Sequence, residues 1–264
     1  MISHRWWAVA TGLLAFIVYF FTLAPDVMFT DSGELAGACA TLGVAHPTGY
    51  PLFVILGHVW TLLPLPMSII AKLNLFAAAC TAASVSVFFL FCRLILQWFA
   101  TPEQKSGIQQ TKGKKKTETA VQSTSTEQVS SLNDMAVNII AASSALLFAF
   151  ARTVWAQATS IEVYSLHLLL MMLTLYFCVG GILTRNTRMQ FVGAFAFGLG
   201  FTNHLTTILL IIPIAVLFFY RPGERLTFSA ERRKEFFVML GILVSCAAVY
   251  GVMLLRSSGG AWFN

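Results

Sequence analysis

Residues 68–99 read SIIAKLNLFAAACTAASVSVFFLFCRLILQWF and contain only two charged side chains, Lys72 and Arg93. A helix needs about 20 mostly apolar residues to cross the hydrocarbon core of a bilayer. This run is long enough for a full span with an extension. It therefore predicts a membrane-spanning helix.

The composition agrees with a membrane protein. The chain has 264 residues, of which 57% are hydrophobic and 11% are charged, whereas soluble domains are about a quarter charged. The net charge of +6 does not indicate nucleic-acid binding, because the basic residues lie in short loops between apolar runs. The five cysteines are scattered without a CxxC pair, so they predict packing residues rather than a redox or metal site.

Further apolar runs complete a bundle of about seven transmembrane helices. We interpret residues 6–23 as an uncleaved anchor, since the run lacks a small-x-small cleavage site. The run at residues 191–220 is long and carries glycines and polar residues in its middle, so we split it into two short helices that turn around Asn203 and His204. The remaining predicted spans are residues 135–150, 163–183 and 236–255.

Between the first two spans lies a polar outer loop that carries short helices. Residues 25–49 are too rich in glycine and polar side chains to span. Residues 50–63 are apolar but short, and Pro51 and Pro64 bound them. They predict a re-entrant or surface-lying helix.

The distribution of basic residues predicts the topology. Residues 101–133 are rich in Lys, Gln, Ser and Thr and predict a disordered loop, whose lysines at 112–116 either contact anionic lipid or stay in water. With a cytoplasmic N-terminus, all 17 basic residues except Lys72, Arg152 and Arg256 fall on the cytoplasmic side. The chain thus divides into residues 1–99, a cytoplasmic loop at 100–134, and residues 135–264. The opposite face would be periplasmic in a bacterial inner membrane or lumenal in the endoplasmic reticulum.

Polar residues that do not serve as solubilising charges collect on the outer face. The densest segment is DSGE at residues 31–34, followed by HPTGYPL at residues 46–52. Asp31 and Glu34 have the spacing of a helix capping box, and they are equally good candidates for an acid or base at a site. His46 is either an ordinary loop histidine or a site residue.

Two later segments add candidates, each with a structural alternative. Trp155 and Gln157 lie in WAQ, where a tryptophan is also typical of the membrane interface. Glu162 opens the EVYSL stretch at residues 162–166, where it could simply favour the positive end of a helix dipole. His204 ends the GLGFTNH stretch at residues 198–204, which also fits a glycine-rich helix break.

These segments, in this order, resemble the polytopic family catalogued as domain of unknown function 2723. That family belongs to the GT-C superfamily of membrane glycosyltransferases and includes an animal protein O-mannosyltransferase. The resemblance rests mainly on DSGE with HPTGYPL, and more weakly on WAQ, EVYSL, the break at His204 and LRS at residues 255–257. It covers nearly the whole chain.

The resemblance implies a GT-C-like module that transfers a sugar, possibly mannose, from a polyprenyl-phosphate donor to an acceptor hydroxyl on a protein or glycan. It implies an inverting reaction at the outer face. Asp31 matches the family's catalytic position, with Glu34 beside it. The residues implied in substrate or donor binding are His46, Tyr50, Trp155, Gln157, Glu162, His204 and Arg256.

Other functions remain open from the sequence. A transporter also uses broken helices with polar residues, although near the bilayer midplane and often in repeated halves, which are not visible here. A non-catalytic, lipid-binding membrane subunit is the third class. No HExxH, HxxxH or acidic triplet marks a metal site, so a divalent ion is possible but unsupported, and no other cofactor is indicated.

Overall fold

A computed structural model of the chain describes residues 3–28, 31–100, 133–219 and 229–258. Within these ranges the chain is helical and has no strand, which confirms the predicted all-α class. The α-helices are α1 (His4–Phe21), α2 (Ser32–Thr41), α3 (Pro51–Thr61), α4 (Ile69–Ala100), α5 (Asp134–Ala149), α6 (Arg152–Thr159), α7 (Val163–Leu183), α8 (Thr187–Asn203), α9 (Ile211–Phe219), α10 (Ala230–Cys246) and α11 (Tyr250–Ser258). Two 3-10 segments, Leu205–Leu210 and Ala247–Val249, precede α9 and α11.

The long helix α4 is the centre of the bundle and packs on α1, α5, α6 and α7. Small residues bring its neighbours close. A Cβ at Gly12 of α1 would collide with Ser86 of α4, and a Cβ at Gly193 of α8 would collide with Cys178 of α7. Close packing of small residues is the main source of helix association in lipid, where no hydrophobic driving force acts between helices.

A buried asparagine ties together the loops at one end of the bundle. The Asn74 side-chain amide donates to the carbonyl of Ala24 (3.0 Å), and its oxygen accepts from the Ile161 N–H (2.8 Å). The Ala24 N–H donates to the carbonyl of Thr159 (2.8 Å). These contacts hold the segment before Asp31 beside the start of α7.

The predicted break in the run at residues 191–220 is present. Helix α8 ends at Asn203, His204 is extended, and the chain then reverses through the 3-10 segment into α9. Phe218 of α9 lies against Phe236 near the start of α10, with ring centroids 6.5 Å apart, and the neighbouring Glu235 accepts from Thr187 at the start of α8, so α9 runs back towards that end and packs on α7. The short helix predicted at residues 50–63 is also present as α3.

Two boundaries differ from the sequence prediction. The helix predicted at residues 135–150 ends at Ala149, and the chain bends by 66° into α6, which the sequence did not predict. The last predicted span starts earlier, at Ala230, because the Ser229 side chain accepts from the Arg232 N–H and caps the helix there.

Four helices in the described ranges are long and apolar enough to cross a membrane, or five if the bent pair α5 and α6 forms one span. The protein is therefore a multi-pass membrane protein, and the count of seven stays a prediction. The loop predicted to be disordered, including its lysine cluster, lies outside the described residues apart from positions 100, 133 and 134. The predicted division of the chain at this loop stays untested.

Candidate active site

Asp31, Glu34 and His46 meet at the start of α2. Glu34 holds His46 at two points: Oε1 accepts from the His46 backbone N–H (2.6 Å), and Oε2 lies 3.0 Å from Nδ1. The other ring nitrogen of His46, Nε2, lies 3.8 Å from Oδ2 of Asp31. All three side chains are a third or more exposed, so a substrate can reach them.

The capping-box interpretation of Asp31 and Glu34 is wrong. Asp31 occupies the N-cap position of α2, but its side chain makes no capping hydrogen bond. Glu34 lies in the first turn, yet its carboxylate is turned towards His46 rather than back to the helix start. Both carboxylates therefore face the loop at residues 42–50 rather than the start of the helix.

Tyr50 connects this cluster to the second half of the site. Its hydroxyl lies 3.1 Å from His46 Nε2. On the other side its ring stacks on His204, with ring centroids 6.0 Å apart and planes inclined by 8°. Tyr50 adopts a left-handed backbone conformation (φ 44°) directly before Pro51, which begins α3. The turn thus points the ring across the gap between α2 and α8.

The second half is formed by the start of α7 and the break after α8. Tyr164 and His167 each lie 5.1 Å from the His204 ring, centroid to centroid. The Thr206 N–H donates to His204 Nδ1 (3.3 Å), so Nδ1 acts as an acceptor and a neutral His204 carries its proton on Nε2. Burial lowers the pKa of His204, which favours this neutral form at pH 7.

Glu162 lies between the two halves as the N-cap of α7 without a capping hydrogen bond. Burial raises its pKa, and the nearby carboxylate of Asp31 raises it further, while His46 acts in the opposite direction. Burial also raises the pKa of Tyr50, followed by the effects of Tyr164 and the three carboxylates. Three acids therefore share one partly desolvated space, a pattern common at functional sites.

Several residues predicted for the site lie elsewhere. Arg256 donates from Nε to the Leu42 carbonyl and from a terminal nitrogen to the Thr41 carbonyl, both at 3.0 Å. These carbonyls end α2, a ten-residue helix about 15 Å long, so Arg256 sits at the end opposite Asp31. Lys72, which the sequence also places on the outer face, donates in the same way to the carbonyls of Thr61 and Leu63 at the end of α3. Both cations stabilise helix C-termini.

Trp155 and Gln157 belong to α6 and are not in contact with the cluster. The Trp155 indole N–H donates to Thr22 Oγ1 (3.0 Å), and its ring packs on Phe150. The side-chain oxygen of Gln157 is buried and has no hydrogen-bond partner in the described part of the chain. Trp155 therefore serves to dock α6 on α1.

Sequence reasoning missed His167 and Thr206. Thr206 Oγ1 lies 2.7 Å from His204 Nδ1 and 3.2 Å from His167 Nε2, which links the two imidazoles. One signal was available: Tyr164 and His167 are three residues apart in the same predicted helix and so share a face. Which neighbour that face meets could not be read from the sequence.

The fold also assembles a group of side chains that could hold a cation. One ligand atom from each of Asp31, Glu34 and His46 lies within 4.8 Å of the others. Carboxylate oxygens and imidazole nitrogen suit zinc and related divalent ions. The sequence motifs for metal sites did not reveal this group, because its members come from a helix and from the loop that folds back on it.

Comparisons with known proteins identify the family of the chain. Residues 31–227, well over half of the chain, match the family model described as "Protein O-mannosyl-transferase TMEM260 N-terminal domain". The chain is 30% identical over 233 residues to the mouse protein named Protein O-mannosyl-transferase TMEM260, covering 86% of this chain and 28% of the relative. It is 24% identical over 223 residues to a Dictyostelium discoideum protein of the same name, covering 79% and 22%.

The matched region begins at Asp31, the first residue of the cluster. The chain spans about a quarter of the length of the curated relatives it matches. No solved structure matches it. The resemblance inferred from the motifs to a membrane O-mannosyltransferase family is confirmed, and the chain belongs to the family of the protein O-mannosyl-transferase TMEM260 N-terminal domain.

Proposed function

We propose that this chain carries the catalytic site of an O-mannosyltransferase that moves mannose from a polyprenyl-phosphate donor to a hydroxyl group of a protein. Family membership supports the reaction class. One observation carries the assignment of the site: the Asp31 carboxylate, free of any capping role, lies 3.8 Å from a histidine that Glu34 holds at two points.

In the proposed reaction Asp31 is the general base. Its carboxylate takes the proton of the acceptor hydroxyl as the hydroxyl oxygen attacks the anomeric carbon of the donor. The bond between that carbon and the phosphate oxygen breaks, and polyprenyl phosphate leaves with the bonding electron pair. Attack from the side opposite the phosphate inverts the anomeric configuration. A positioned base of this kind contributes about 10²–10⁴-fold in rate.

Glu34 and Tyr50 orient His46 beside this base. Glu34 accepts hydrogen bonds from the His46 backbone N–H and from Nδ1–H, which leaves Nε2 as an acceptor. Nε2 accepts a hydrogen bond from the Tyr50 hydroxyl in the resting site; once that hydroxyl turns away, the same lone pair can take from Asp31 the proton that came from the acceptor hydroxyl. A carboxylate that fixes the tautomer of an imidazole has the same role in hydrolase triads.

The donor would lie along the wall of Tyr50, Tyr164 and His204. Aromatic faces suit a sugar ring, and the Nε2–H of a neutral His204 is a donor for a sugar hydroxyl or a phosphate oxygen. The polyprenyl chain of the donor would lie in the membrane, so its sugar phosphate would reach a site at the end of the helices. In this proposal the site faces the lumen or periplasm, as the basic residues predict.

The position of the helix break argues against a transporter. Transporters place broken helices near the bilayer midplane. Here the break at His204 is at the level of the outer loop, because Tyr50 at the start of α3 stacks on it. The broken helix thus belongs to the same surface site as Asp31.

Purified chain in lipid vesicles, supplied with polyprenyl-phosphate mannose and a serine- and threonine-containing peptide, tests the proposal. We expect mannosyl-peptide from the parent and a loss of about 10²–10⁴-fold in Asp31→Asn. Asp26→Asn is the matched control, because Asp26 is an exposed outer-loop carboxylate whose one hydrogen bond within the described part of the chain is with the adjacent Val27 N–H. Transfer by Asp31→Asn at the parent rate would show that Asp31 is not the base. The absence of both mannosyl transfer and donor hydrolysis in the parent protein would refute the proposed function.

A further inference from the structure

Three polar side chains form a chain of contacts between the start of α7 and the break after α8. Thr206 lies in the middle: its Oγ1 is 3.2 Å from Nε2 of His167 and 2.7 Å from Nδ1 of His204. Two of the three residues, His167 and Thr206, have no role in the reaction described above.

The hydrogen atoms of this chain follow from its geometry. Nδ1 of His204 accepts from the Thr206 N–H (3.3 Å), so it carries no proton of its own. The Thr206 hydroxyl, 2.7 Å from that bare nitrogen, donates to it as well, because two acceptors would otherwise face each other at this short distance. Thr206 Oγ1 is then the acceptor for Nε2–H of His167. The hydrogen bonds therefore run in one direction, from His167 through Thr206 to His204.

This direction leaves His204 with one free donor. The ring proton is on Nε2, at the opposite edge of the imidazole from Nδ1, and Nε2 has no hydrogen-bond partner among the described residues. His204 is partly exposed, so a ligand can reach it. Two donors on Nδ1 keep the ring neutral, and hydrogen bonds that run in one direction polarise one another. Nε2–H is therefore a strengthened and uncharged donor.

An anion can approach this donor without meeting the acids of the site. Asp31 and Glu34 lie with His46 on the other side of Tyr50, whose ring centroid is 5.2 Å from that of His46 and 6.0 Å from that of His204. Burial alone lowers the pKa of His204, so no carboxylate acts strongly on it. The site thus has an acidic side and a neutral side that can donate hydrogen bonds.

The cations that the sequence places on the outer face are held elsewhere in the described structure. Arg256 and Lys72 donate to the carbonyls that end α2 and α3. Arg152 begins α6, about 10 Å of helix from the end that leads to Glu162. A phosphate held by the described residues of this wall therefore depends on neutral donors, as the oxyanion sites of many enzymes do.

We propose that Nε2–H of His204 binds the phosphate of the polyprenyl-phosphate donor, and that His167 is a positioning residue that orients His204 through Thr206. The inference rests on the proposed function, because it assigns the phosphate end of the same site. The sugar then lies over Tyr50, with the phosphate at His204 and Asp31 on the opposite side, the order that inverting attack requires.

The proposed donor acts most strongly late in the reaction. As the bond between the anomeric carbon and the phosphate oxygen breaks, the phosphate gains negative charge and its hydrogen bond to Nε2–H strengthens. The ring proton stays on His204, and the proton of the acceptor hydroxyl goes to Asp31 as before. The histidine stabilises the leaving group without changing its own charge.

Equilibrium binding of radiolabelled farnesyl phosphate, a short polyprenyl phosphate, tests this site without any sugar transfer. We expect the purified chain in detergent to bind it saturably. Farnesol, which lacks the phosphate, should compete at least about tenfold more weakly, and inorganic phosphate should not compete at the same concentrations. Equal competition by farnesol would show that the prenyl chain alone binds, and equal competition by inorganic phosphate would show a site for free anions. Either result would overturn the proposal.

His204→Asn separates binding from folding. Asparagine keeps a side-chain acceptor for the Thr206 N–H at the start of the 3-10 segment, but its side chain ends short of the Nε2 position. Farnesyl phosphate should bind about 10- to 100-fold more weakly, because hydrogen bonds to charged groups are the stronger ones. The melting temperature should stay close to that of the parent. Parent-like binding by the folded variant would remove His204 from the phosphate site.

The positioning role of His167 is tested by rescue. His167→Leu removes the donor to Thr206 and should weaken binding about tenfold, whereas His167→Gln keeps an N–H donor near the Nε2 position and should restore most of the affinity. His58→Leu is the matched control, because His58 donates to the Cys39 carbonyl at another part of the fold, and it should bind like the parent. Equal losses in folded His167→Leu and His167→Gln would refute the positioning role.

The two levels of the proposal fail separately. If the parent transfers mannose but these variants bind farnesyl phosphate like the parent, the phosphate site is wrong and the proposed function stands. If the parent shows the expected binding but neither transfers mannose nor hydrolyses the donor, the phosphate site stands and the proposed function is wrong.

Discussion

Glu34→Gln is the most discriminating change in the candidate active site, because Glu34 does not touch the acceptor in the proposed reaction. In the native geometry Oε1 accepts from the His46 backbone N–H at 2.6 Å and Oε2 accepts from Nδ1 at 3.0 Å. A glutamine has one oxygen and one NH₂ for these two positions. The NH₂ group cannot face the backbone N–H, because two donors would meet at that short distance. It must therefore face Nδ1.

This orientation reverses the tautomer of His46. An NH₂ group that donates to Nδ1 requires Nδ1 to be the acceptor, so the ring proton moves to Nε2. Nε2 can then no longer accept from Tyr50 or relieve Asp31 of its proton. Hydrogen bonds that involve a charged group are worth about 1.5–3 kcal/mol, which corresponds to a rate loss of roughly 10- to 100-fold.

The assay is mannosyl transfer at saturating donor and acceptor, with melting temperature measured in parallel. We expect the maximal rate of Glu34→Gln to fall by this amount while the melting temperature stays close to that of the parent. The Michaelis constant for the donor should change less than the maximal rate, since the change reaches the donor wall only through the Tyr50 hydroxyl, while the Tyr50 ring stays stacked on His204. A parent-like rate in a folded Glu34→Gln protein would refute the role of Glu34 in orienting His46.

Three further predictions concern stability and topology. Burial raises the pKa of Glu162, so the folded state binds its proton more tightly than the unfolded state, and stability falls as pH rises through that pKa. Glu162→Gln should therefore melt at a higher temperature than the parent at pH 7, and this gain should shrink on acidification below the pKa of Glu162. An equal gain in melting temperature at all pH values would contradict this origin. Arg256→Ala should lower the melting temperature without changing the donor Michaelis constant, since the guanidinium donates to the carbonyls that end α2. A weaker donor affinity at unchanged stability would restore the donor-binding role that the family resemblance implies. In a cysteine-free background, Ser123→Cys and Asp26→Cys should be labelled by an impermeant thiol reagent from opposite sides of the membrane, and labelling of both from the cytoplasmic side would refute the predicted topology.

The sequence around a residue does not determine the role of that residue in this site. Asp31 and Glu34 have capping-box spacing, and a local interpretation cannot distinguish capping from chemistry. The structure distinguishes them through a contact with His46, twelve residues away, because the loop after α2 folds back along the helix. The family resemblance implied Arg256 in substrate or donor binding, but the end of α2 provides it with two carbonyls that the sequence did not reveal.

The sequence by itself determined the membrane class, the helical fold, the break at His204 and the family. Each of these depends on hydrophobicity along a continuous segment, on a helix-breaking stretch or on a short motif, which are properties of neighbouring residues. The site as a whole was decided by the tertiary structure. Tyr50 stacks on His204 because α3 packs against α8, and residues 154 positions apart meet only through that packing. Helix packing in lipid depends on small residues and on shape rather than on a hydrophobic pattern, so no periodicity in the sequence predicts which helix faces will meet.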